Sequence, residues 1–507
     1  MIVDLLGNGD FTSISEAIDN ALPDTEIIIR PGLYRETIII DKPLTLIGEG
    51  EGEIIVESPT DYCLSMKTDY AIVRGLTLRK LLDNDYCLTV NILQGKSVLL
   101  EDCDVTSILI QGSKTNPVIR RCKIHNSSSI GMLIANNAQP TIEDCDIYEN
   151  TNQAIHIEKD ANPIIRSCRI FDGKTNGISI IQNGKGIIEN CDIYNNSNPG
   201  IYISKDANPS ILSCRVYDGK DDGISIVENG RGIIEHCDIY NNINPGIYIS
   251  EEGNPSIDYC RIFDGKNFGI FVRENGQGII ENCDIYGNTY AGIAITTESN
   301  PTIRSCKIYE NKQNGIFITE NGLGLIEYCN VYRNNFSGIG INQGSKTTIR
   351  SCKIYNNKDY GLQFDKSGQG RVENSEIKGN TLAGVRYKNQ GDVDIIGCKI
   401  YPNKPPYFCI LLTLSSGFSL SINFVYLSLF VFAFVLFTTI FNIFWTFLSF
   451  EKRGFNKRFT IPNLLLTIQL GIVGGIMFVN GFNPSLSAIL LASGTIWITM
   501  LVYRFFK

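Results

Sequence analysis

Cysteine marks this chain at a fixed interval. Cys122, Cys145, Cys168, Cys191, Cys214, Cys237, Cys260, Cys283, Cys306, Cys329 and Cys352 stand 23 residues apart, and Ser375 and Cys398 continue the series. A period of this length is the mark of a repeat architecture, in which each unit buries its apolar face only against its neighbours. Counted from each cysteine, Ile or Val stands three before (Ile165, Ile188, Ile211, Ile234) and two after (Ile170, Ile193, Val216, Ile239). A glycine stands nine after (Gly177, Gly200, Gly223, Gly246), with apolar residues at ten and twelve (Ile178 and Ile180, Ile201 and Ile203).

Alternation between zero and two, and again between ten and twelve, is the period of short strands. The step from three before to zero breaks that alternation, so the chain must bend there. Three short strands with bends in every 23 residues predict one coil of a right-handed parallel β-helix, stacked on the next at roughly 4.8 Å. The leucine spacing of a leucine-rich horseshoe, the main structural rival, is absent. The cysteines then form a column inside the core, as small buried hydrophobes. The alternative, metal binding, is disfavoured because a straight column is not a tetrahedral ligand set.

A longer period lies inside the first: residues 153–198 and 199–244 are identical at 31 of 46 positions. One position after the cysteine the residues read Lys123, Asp146, Arg169, Asp192, Arg215, Asp238, Arg261, Asp284, Lys307, Asn330, Lys353, Glu376, Lys399. Stacked rungs place these side by side, where opposite charges contribute roughly 0.2 to 1 kcal/mol and like charges repel. The ladder predicts pairing between coils and needs no function.

The N-terminal stretch carries Ser13-Ile-Ser-Glu16, a capping-box pattern ahead of Ala17 to Leu22. It predicts a short helix covering the first open coil, within a cap spanning 1–24. Regular coils are expected from about 115 to 403. The runs Gly7-Asn-Gly-Asp-Phe-Thr-Ser-Ile-Ser-Glu-Ala-Ile18, Ile27-Ile-Ile-Arg-Pro-Gly-Leu-Tyr-Arg-Glu36 and Leu44-Thr-Leu-Ile-Gly48 resemble the N-terminal part of pectin methylesterases and other members of the pectin-lyase-like superfamily. Coils such as Ile187-Ile-Glu-Asn-Cys-Asp-Ile-Tyr-Asn-Asn196 resemble the parallel β-helix (PbH1-type) repeats of the carbohydrate-binding and sugar-hydrolase (CASH) group. The resemblance covers roughly residues 1–403 and implies the fold. The Gln-Asp pair and the Asp-Phe-Ile-Phe-Gly-like and Gly-Arg-Pro-Trp-like segments of the esterases do not occur, nor do the Asp-Pro-His of the epimerases or the Gly-His-Gly of the polygalacturonases. Fold does not imply activity here.

Two features of the coils carry candidate chemistry. Two positions before the cysteine, Glu189, Glu235, Glu281, Glu327 and Glu373 alternate with Arg166, Leu212, Asp258, Arg304 and Arg350. Asp258 breaks the pattern, so Glu235, Asp258 and Glu281 should stack as three carboxylates beside His236 and Tyr259. Such a set can bind Ca²⁺ or split its pKa values into an acid and a base, as in glycoside hydrolysis. The alternative is a solvated surface whose repulsion is relieved by Arg215 and Arg261. Three positions after the cysteine runs an aromatic row, with Tyr194, Tyr217, Tyr240, Phe263 and Tyr286 at its centre. Pointing outward beside Asn195, Asn196 and the Asp-Gly-Lys turns, it can stack sugar rings or a partner protein, or simply pack on itself. His125 and His156 stand alone and are assigned no role.

Charge then divides the chain. Residues 1–404 hold 39 Lys and Arg against 52 Asp and Glu, whereas 405–507 hold 6 against Glu451 alone. So acidic a body excludes a nucleic-acid surface. No charge occurs from Pro405 to Phe450 or from Phe459 to Tyr503, each stretch about twice the roughly 20 residues that a spanning helix needs. A membrane region at 404–507 is expected, with helices near 425–449, 462–479 and 485–503 and a fourth candidate near 406–423. All six basic residues lie in 451–458 and 504–507, which predicts both on the cytoplasmic side. Four helices then put the β-helix in the cytoplasm and three put it outside; without a signal-peptide pattern at the N-terminus, four are expected.

The reading is a membrane-anchored β-helix that presents a non-catalytic binding surface to a protein or carbohydrate. The alternative is a polysaccharide lyase, epimerase or hydrolase using Glu235, Asp258 and Glu281. No cofactor is implied.

Overall fold

The protein was analysed as a computed structural model, described for residues 1–80, 88–365, 367–387 and 393–401. The chain divides into two units, Met1–Phe408 and Cys409–Lys507. The membrane helices expected between 404 and 507 lie outside the described residues. No helix of the described residues is long and apolar enough to cross a membrane.

The first unit is a parallel β-solenoid of about 17 coils. One coil shows why the sequence folds this way. Ile187–Glu189 lies in sheet A, Asp192–Tyr194 in sheet B and Ile201–Ile203 in sheet C, as the 23-residue pattern predicts. Each strand pairs in parallel with its counterpart one coil on, so Ile188 faces Ile211, Ile193 faces Val216 and Ile201 faces Ile224. Equivalent residues therefore form columns along the stack. The coils begin at Thr25, directly after the cap, but the early ones are unequal: Thr25 pairs with Leu44, 19 residues on, and Leu44 with Ala71, 27 residues on. That irregularity hides them from the cysteine ruler.

The bend before each cysteine is a single residue in the left-handed region, such as Asn190 (φ 53°), Ser213 (53°) or Asn282 (52°). A second follows sheet B at Asp172, Asn195 or Asp218, and a pair follows sheet C at Lys205 and Asp206. Short polar side chains dominate several of these corners because Asn and Asp tolerate positive φ best among residues with a Cβ. The cysteines fill the inside of the corner. Cys214 Sγ lies 3.4 Å from the Leu212 carbonyl oxygen and 3.5 Å from that of Ile188 one coil below, a fit a larger side chain could not make. Every cysteine of the column from Cys122 to Cys352 is buried and free, and burial raises the thiol pKa of Cys103 and Cys306 far above its ordinary value.

A column of buried asparagines runs parallel to the thiols. Asn196, which reads in the sequence as part of a polar loop, is 1% exposed. Its Oδ1 accepts from the Gly173 N–H at 3.0 Å and its amide donates to the Ile170 carbonyl at 3.2 Å. Asn288, Asn311, Asn334, Asn357 and Asn380 occupy the same place in consecutive coils. Buried polar groups persist only when paired: each of these amides donates to a carbonyl of the coil below, and those of Asn288, Asn311, Asn334 and Asn357 also donate to the asparagine of the coil above.

The two-coil unit has two causes. Arg169, Arg215 and Arg261 pair with Asp146, Asp192 and Asp238 of the preceding coil, their Nε–Oδ1 distances all 2.6 Å, as the charge alternation predicts. Sterics add a second. Pro163, Pro209 and Pro255 alternate with Gly186, Gly232 and Gly278, and a Cβ on Gly186 would lie 2.9 Å from the Pro163 carbonyl oxygen.

The cap helix is Ile14–Asn20, three residues earlier than expected. Ser13 Oγ accepts from the Glu16 N–H at 3.2 Å, but the reciprocal carboxylate is Glu36, which accepts from the Ile14 and Ser15 N–H groups at 2.9 and 2.8 Å. Ile14, Ala17 and Ile18 are buried in the core.

Candidate functional site

The three carboxylates singled out in the sequence do stack. Glu235 faces Asp258 and Asp258 faces Glu281 on adjacent strands of sheet A. Each has a local partner: His236 Nε2 lies 3.3 Å from Glu235 Oε1, Asn282 Nδ2 donates to Asp258 Oδ1 at 2.9 Å, and Arg304 Nη1 lies 3.8 Å from Glu281 Oε2. His236 also stacks on Tyr259, with centroids 5.2 Å apart. Arg215 and Arg261, expected to relieve the repulsion, instead pair with Asp192 and Asp238 on sheet B. Among the described residues no three His, Cys, Asp or Glu side chains gather closely enough to hold a metal ion.

The aromatic row is a continuous ladder on the outer face of sheet B. From Tyr148 to Tyr355 neighbouring rings stack at 4.9 to 5.1 Å within 14° of parallel, and His125 adds an eleventh ring, 4.6 Å from Tyr148. His125 Nε2 lies 2.9 Å from Asp104 Oδ1, which gives this histidine a structural place the sequence did not disclose. Inside the ladder both faces of every ring are covered by its neighbours. Tyr194, Tyr217, Tyr240, Phe263 and Tyr286 therefore offer edges and hydroxyls, not faces, to a ligand.

A second, interrupted aromatic row lies on sheet C. Its outward residues run His156, Ser179, Tyr202, Ser225, Tyr248, Phe271, Ala294, Phe317, Gly340, Gln363, Arg386, each paired in register with the next. Ser179 and Ser225 flank Tyr202, and Ala294 and Gly340 flank Phe317; Ser179, Ser225 and Ala294 are buried, and the Asn314 amide stands over Gly340, so the half-buried rings form the outer surface of this row. Asp222, in the turn entering this sheet, has its pKa pushed up to about 8, by burial first and the charge of Asp221 second, with a hydrogen bond to Ser225 opposing. Burial likewise lowers the pKa of His156, whose Nδ1 is buried with no partner among the described residues.

At the C-terminal end of this face the repetition stops and unlike polar groups converge. Ser337 Oγ donates to Gln363 Oε1 at 2.6 Å and lies 3.4 Å from Asp359 Oδ2; Gln363 Nε2 donates to Asp365 Oδ2 at 2.6 Å. Arg386 Nη1 donates to the Tyr360 hydroxyl at 3.3 Å, its guanidinium 5.0 Å from that ring. Burial raises the Asp359 pKa, opposed by Ser337 and Arg386. Asn342 Oδ1 and Asp365 Oδ1 are buried acceptors with no partner among the described residues. This cluster escaped the sequence reading, which tested the charge pattern only beside the cysteine. The available signal was eleven positions after it, where Ser, Tyr, Phe and Ala give way to Gly340, Gln363 and Arg386.

Residues 66–208, 153–301 and 291–426 each match the family described as the right handed beta helix region. Among solved structures the chain is similar to the A-module of mannuronan C-5 epimerase AlgE6 from Azotobacter vinelandii, at 16% identity and a TM-score of 0.39 over 77% of this chain and 95% of that one. It is also similar to the periplasmic alginate epimerase AlgG (11%, TM-score 0.34, 74% and 77%) and to the receptor binding domain of the Siphovirus 9NA tailspike (10%, TM-score 0.35, 80% and 77%). At these scores they bear on neither substrate nor chemistry.

Proposed function

Because the chain belongs to the right-handed β-helix family, its ligands are to be sought on the outward faces of its coils, and we propose that it is a membrane-anchored binding protein for an extended polysaccharide, held along sheet C. The observation that carries this reading is the row in which the half-buried rings of Tyr202 and Phe317 alternate with small neighbours and which ends in the Ser337, Asp359, Gln363 and Arg386 cluster. Aromatic faces stack on the apolar faces of sugar rings, and amide, hydroxyl and guanidinium groups read their polar substituents. Large side chains two coils apart are separated by roughly 9.6 Å, comparable to one disaccharide unit of an extended glycan. Arg386 is in no ion pair among the described residues and supplies the fork that fits a carboxylate, so the preferred polymer carries uronate units. Calorimetric titration of the full-length chain with oligogalacturonate and with a neutral cello-oligosaccharide tests this. Arg386→Gln should abolish the preference for the uronate, and Tyr202→Ala with Phe317→Ala should weaken both ligands; no binding to either removes the reading.

A second reading is turnover of the bound polymer. What favours it is Asp359, a carboxyl with a raised pKa beside Ser337, Gln363 and Arg386, the mixture of groups that acid–base chemistry requires. New reducing or unsaturated ends that vanish in Asp359→Asn would establish it.

Membrane anchoring rests on the two uncharged stretches 405–450 and 459–503. With four spans the β-helix shares the side of the basic segments 451–458 and 504–507. Protease protection in sealed vesicles decides the side and thereby which polymers sheet C meets.

A further inference from the structure

The ladder on sheet B is a different surface from the sheet C face. Its rings spend their faces on one another, so what they present outward is an unbroken wall of half-buried edges. Two residues earlier on each strand, roughly 6.6 Å away, runs the Asp and Arg ladder. Its arms are held in place: Arg169, Arg215 and Arg261 are tied to the coil before and lean to within 6.0, 5.9 and 5.9 Å of the Phe171, Tyr217 and Phe263 ring centroids. A straight strip of sheet surface, toward which these guanidinium groups lean, runs between the two ladders. Between Tyr148 and Tyr355 it extends over nine coil steps, roughly 43 Å.

The charges on the two sides of the ring ladder are not balanced equally. The Arg and Asp ladder neutralises itself. On the other flank Asp172, Asp218 and Asp264 are in no ion pair among the described residues; Asn195 and Asn241 donate to Asp172 and Asp218 at 2.5 Å each. Lys174, Lys220 and Lys266, two residues further on, make no ion pair with them. The phenols of Tyr194, Tyr240 and Tyr286 sense both sets of charges: burial raises their pKa values first, Arg169, Arg215 and Arg261 oppose, and Asp172, Asp218 and Asp264 raise them by less.

We propose that the wall of ring edges on sheet B is a binding track for flat, elongated aromatic cations, which lie along the coil axis against the ring edges, with Asp172, Asp218 and Asp264 selecting for positive charge. In-register parallel strands carrying one aromatic column are the arrangement found on cross-β surfaces, rigid and identical from rung to rung. A flat molecule placed there buries apolar area against a wall that loses no entropy on binding. Selection for a cation comes from the aspartates, because ring edges carry the positive end of the aromatic quadrupole. A molecule of three or four rings spans only a few rungs, so more than one fits on each chain.

Thioflavin T, a flat cationic dye whose emission rises when its internal rotation is blocked, is the probe, titrated into the full-length chain. The expected result is a saturable rise in emission with more than one dye per chain and weaker binding of the anionic dye ANS. Replacing Asp172, Asp218 and Asp264 together with Asn should weaken thioflavin T about fivefold or more and flatten its salt dependence. The fold accepts that exchange, since Asn195, Asn241 and Asn356 already occupy this position at φ 52°, 57° and 56°. Tyr217→Ala should break the track and lower the number of dyes bound, with circular dichroism confirming the fold. No saturable emission, equal binding of ANS, or a response unchanged in the triple variant overturns the proposal.

Discussion

The side-chain oxygen of Asn311 accepts two hydrogen bonds from Asn288, one from its backbone N–H at 3.1 Å and one from its amide at 3.0 Å. Asn311 in turn donates to the Ile285 carbonyl at 3.3 Å and to Asn334 Oδ1 at 3.0 Å, and is fully buried. One side chain thus links three coils. Its loss strands the Asn288 backbone N–H and one hydrogen of the Asn288 amide, at roughly 1 to 3 kcal/mol for each buried group stranded, whereas Asn288 Nδ2 keeps the Ile262 carbonyl and Asn334 Oδ1 keeps the Asn311 backbone N–H. Asn311→Ala should cost about 3 kcal/mol or more. Repeat arrays open locally, so hydrogen exchange should show the loss concentrated in the coils between Asn288 and Asn334.

The cysteine column makes a chemical prediction. Thiolates are the reactive form, but a thiol sealed inside the stack is out of reach of a reagent in solution, and every cysteine of the column is buried. In the native protein the cysteines from Cys122 to Cys352 should resist iodoacetamide, whereas the half-buried Cys398 should react first among the described cysteines. Mass spectrometric mapping before and after unfolding checks this. Native labelling within the column would mean that the coils open far more easily than their packing implies.

These two columns show what the sequence could and could not disclose. The cysteines were legible because their period is strict and a thiol inside an apolar pattern reads as core. Asn196 and Asn288 have the same period, yet asparagine looks like loop chemistry until the next coil supplies its partners. The register of Glu235, Asp258 and Glu281 was legible from spacing alone, but not the neighbours His236, Asn282 and Arg304 that occupy those carboxylates. The outward direction of the Tyr ladder followed from strand alternation, whereas its face-to-face stacking depends on ring rotation, which spacing does not encode. The Ser337, Gln363 and Arg386 cluster joins residues 23 to 49 positions apart whose side chains meet only once the coils are stacked in register.

Gly186 tests the steric half of the two-coil repeat. Its φ is +129°, a region that side chains rarely adopt, and an added Cβ would meet the Pro163 carbonyl oxygen at 2.9 Å. Gly186→Ala should destabilise the stack by about 1 to 3 kcal/mol. Pro163→Ala should not rescue it, because the closest atom belongs to the backbone rather than to the proline ring. Urea unfolding midpoints of the single and double variants distinguish a ring clash, which the second change would relieve, from the backbone conflict described here.

Asp222 should make stability depend on pH in a direction opposite to that of most carboxylates. Its pKa in the fold is pushed up to about 8, against roughly 3.9 in an unfolded chain. Between those values the folded protein keeps a proton that the unfolded chain has released, so this residue makes stability fall as pH rises from about 4 to about 8. Below pH 4 both states are protonated and its contribution is fully present; above 8 both are ionised and the penalty of burying the charge beside Asp221 is complete. Asp222→Asn keeps a neutral polar group next to Ser225 and removes the titration. The variant should therefore match the parent near pH 4 and melt at a higher temperature at pH 8, the gap opening steadily between. Parallel melting curves across that range would show that Asp222 is ionised in the fold, and would leave sheet C without a neutral acid at this position.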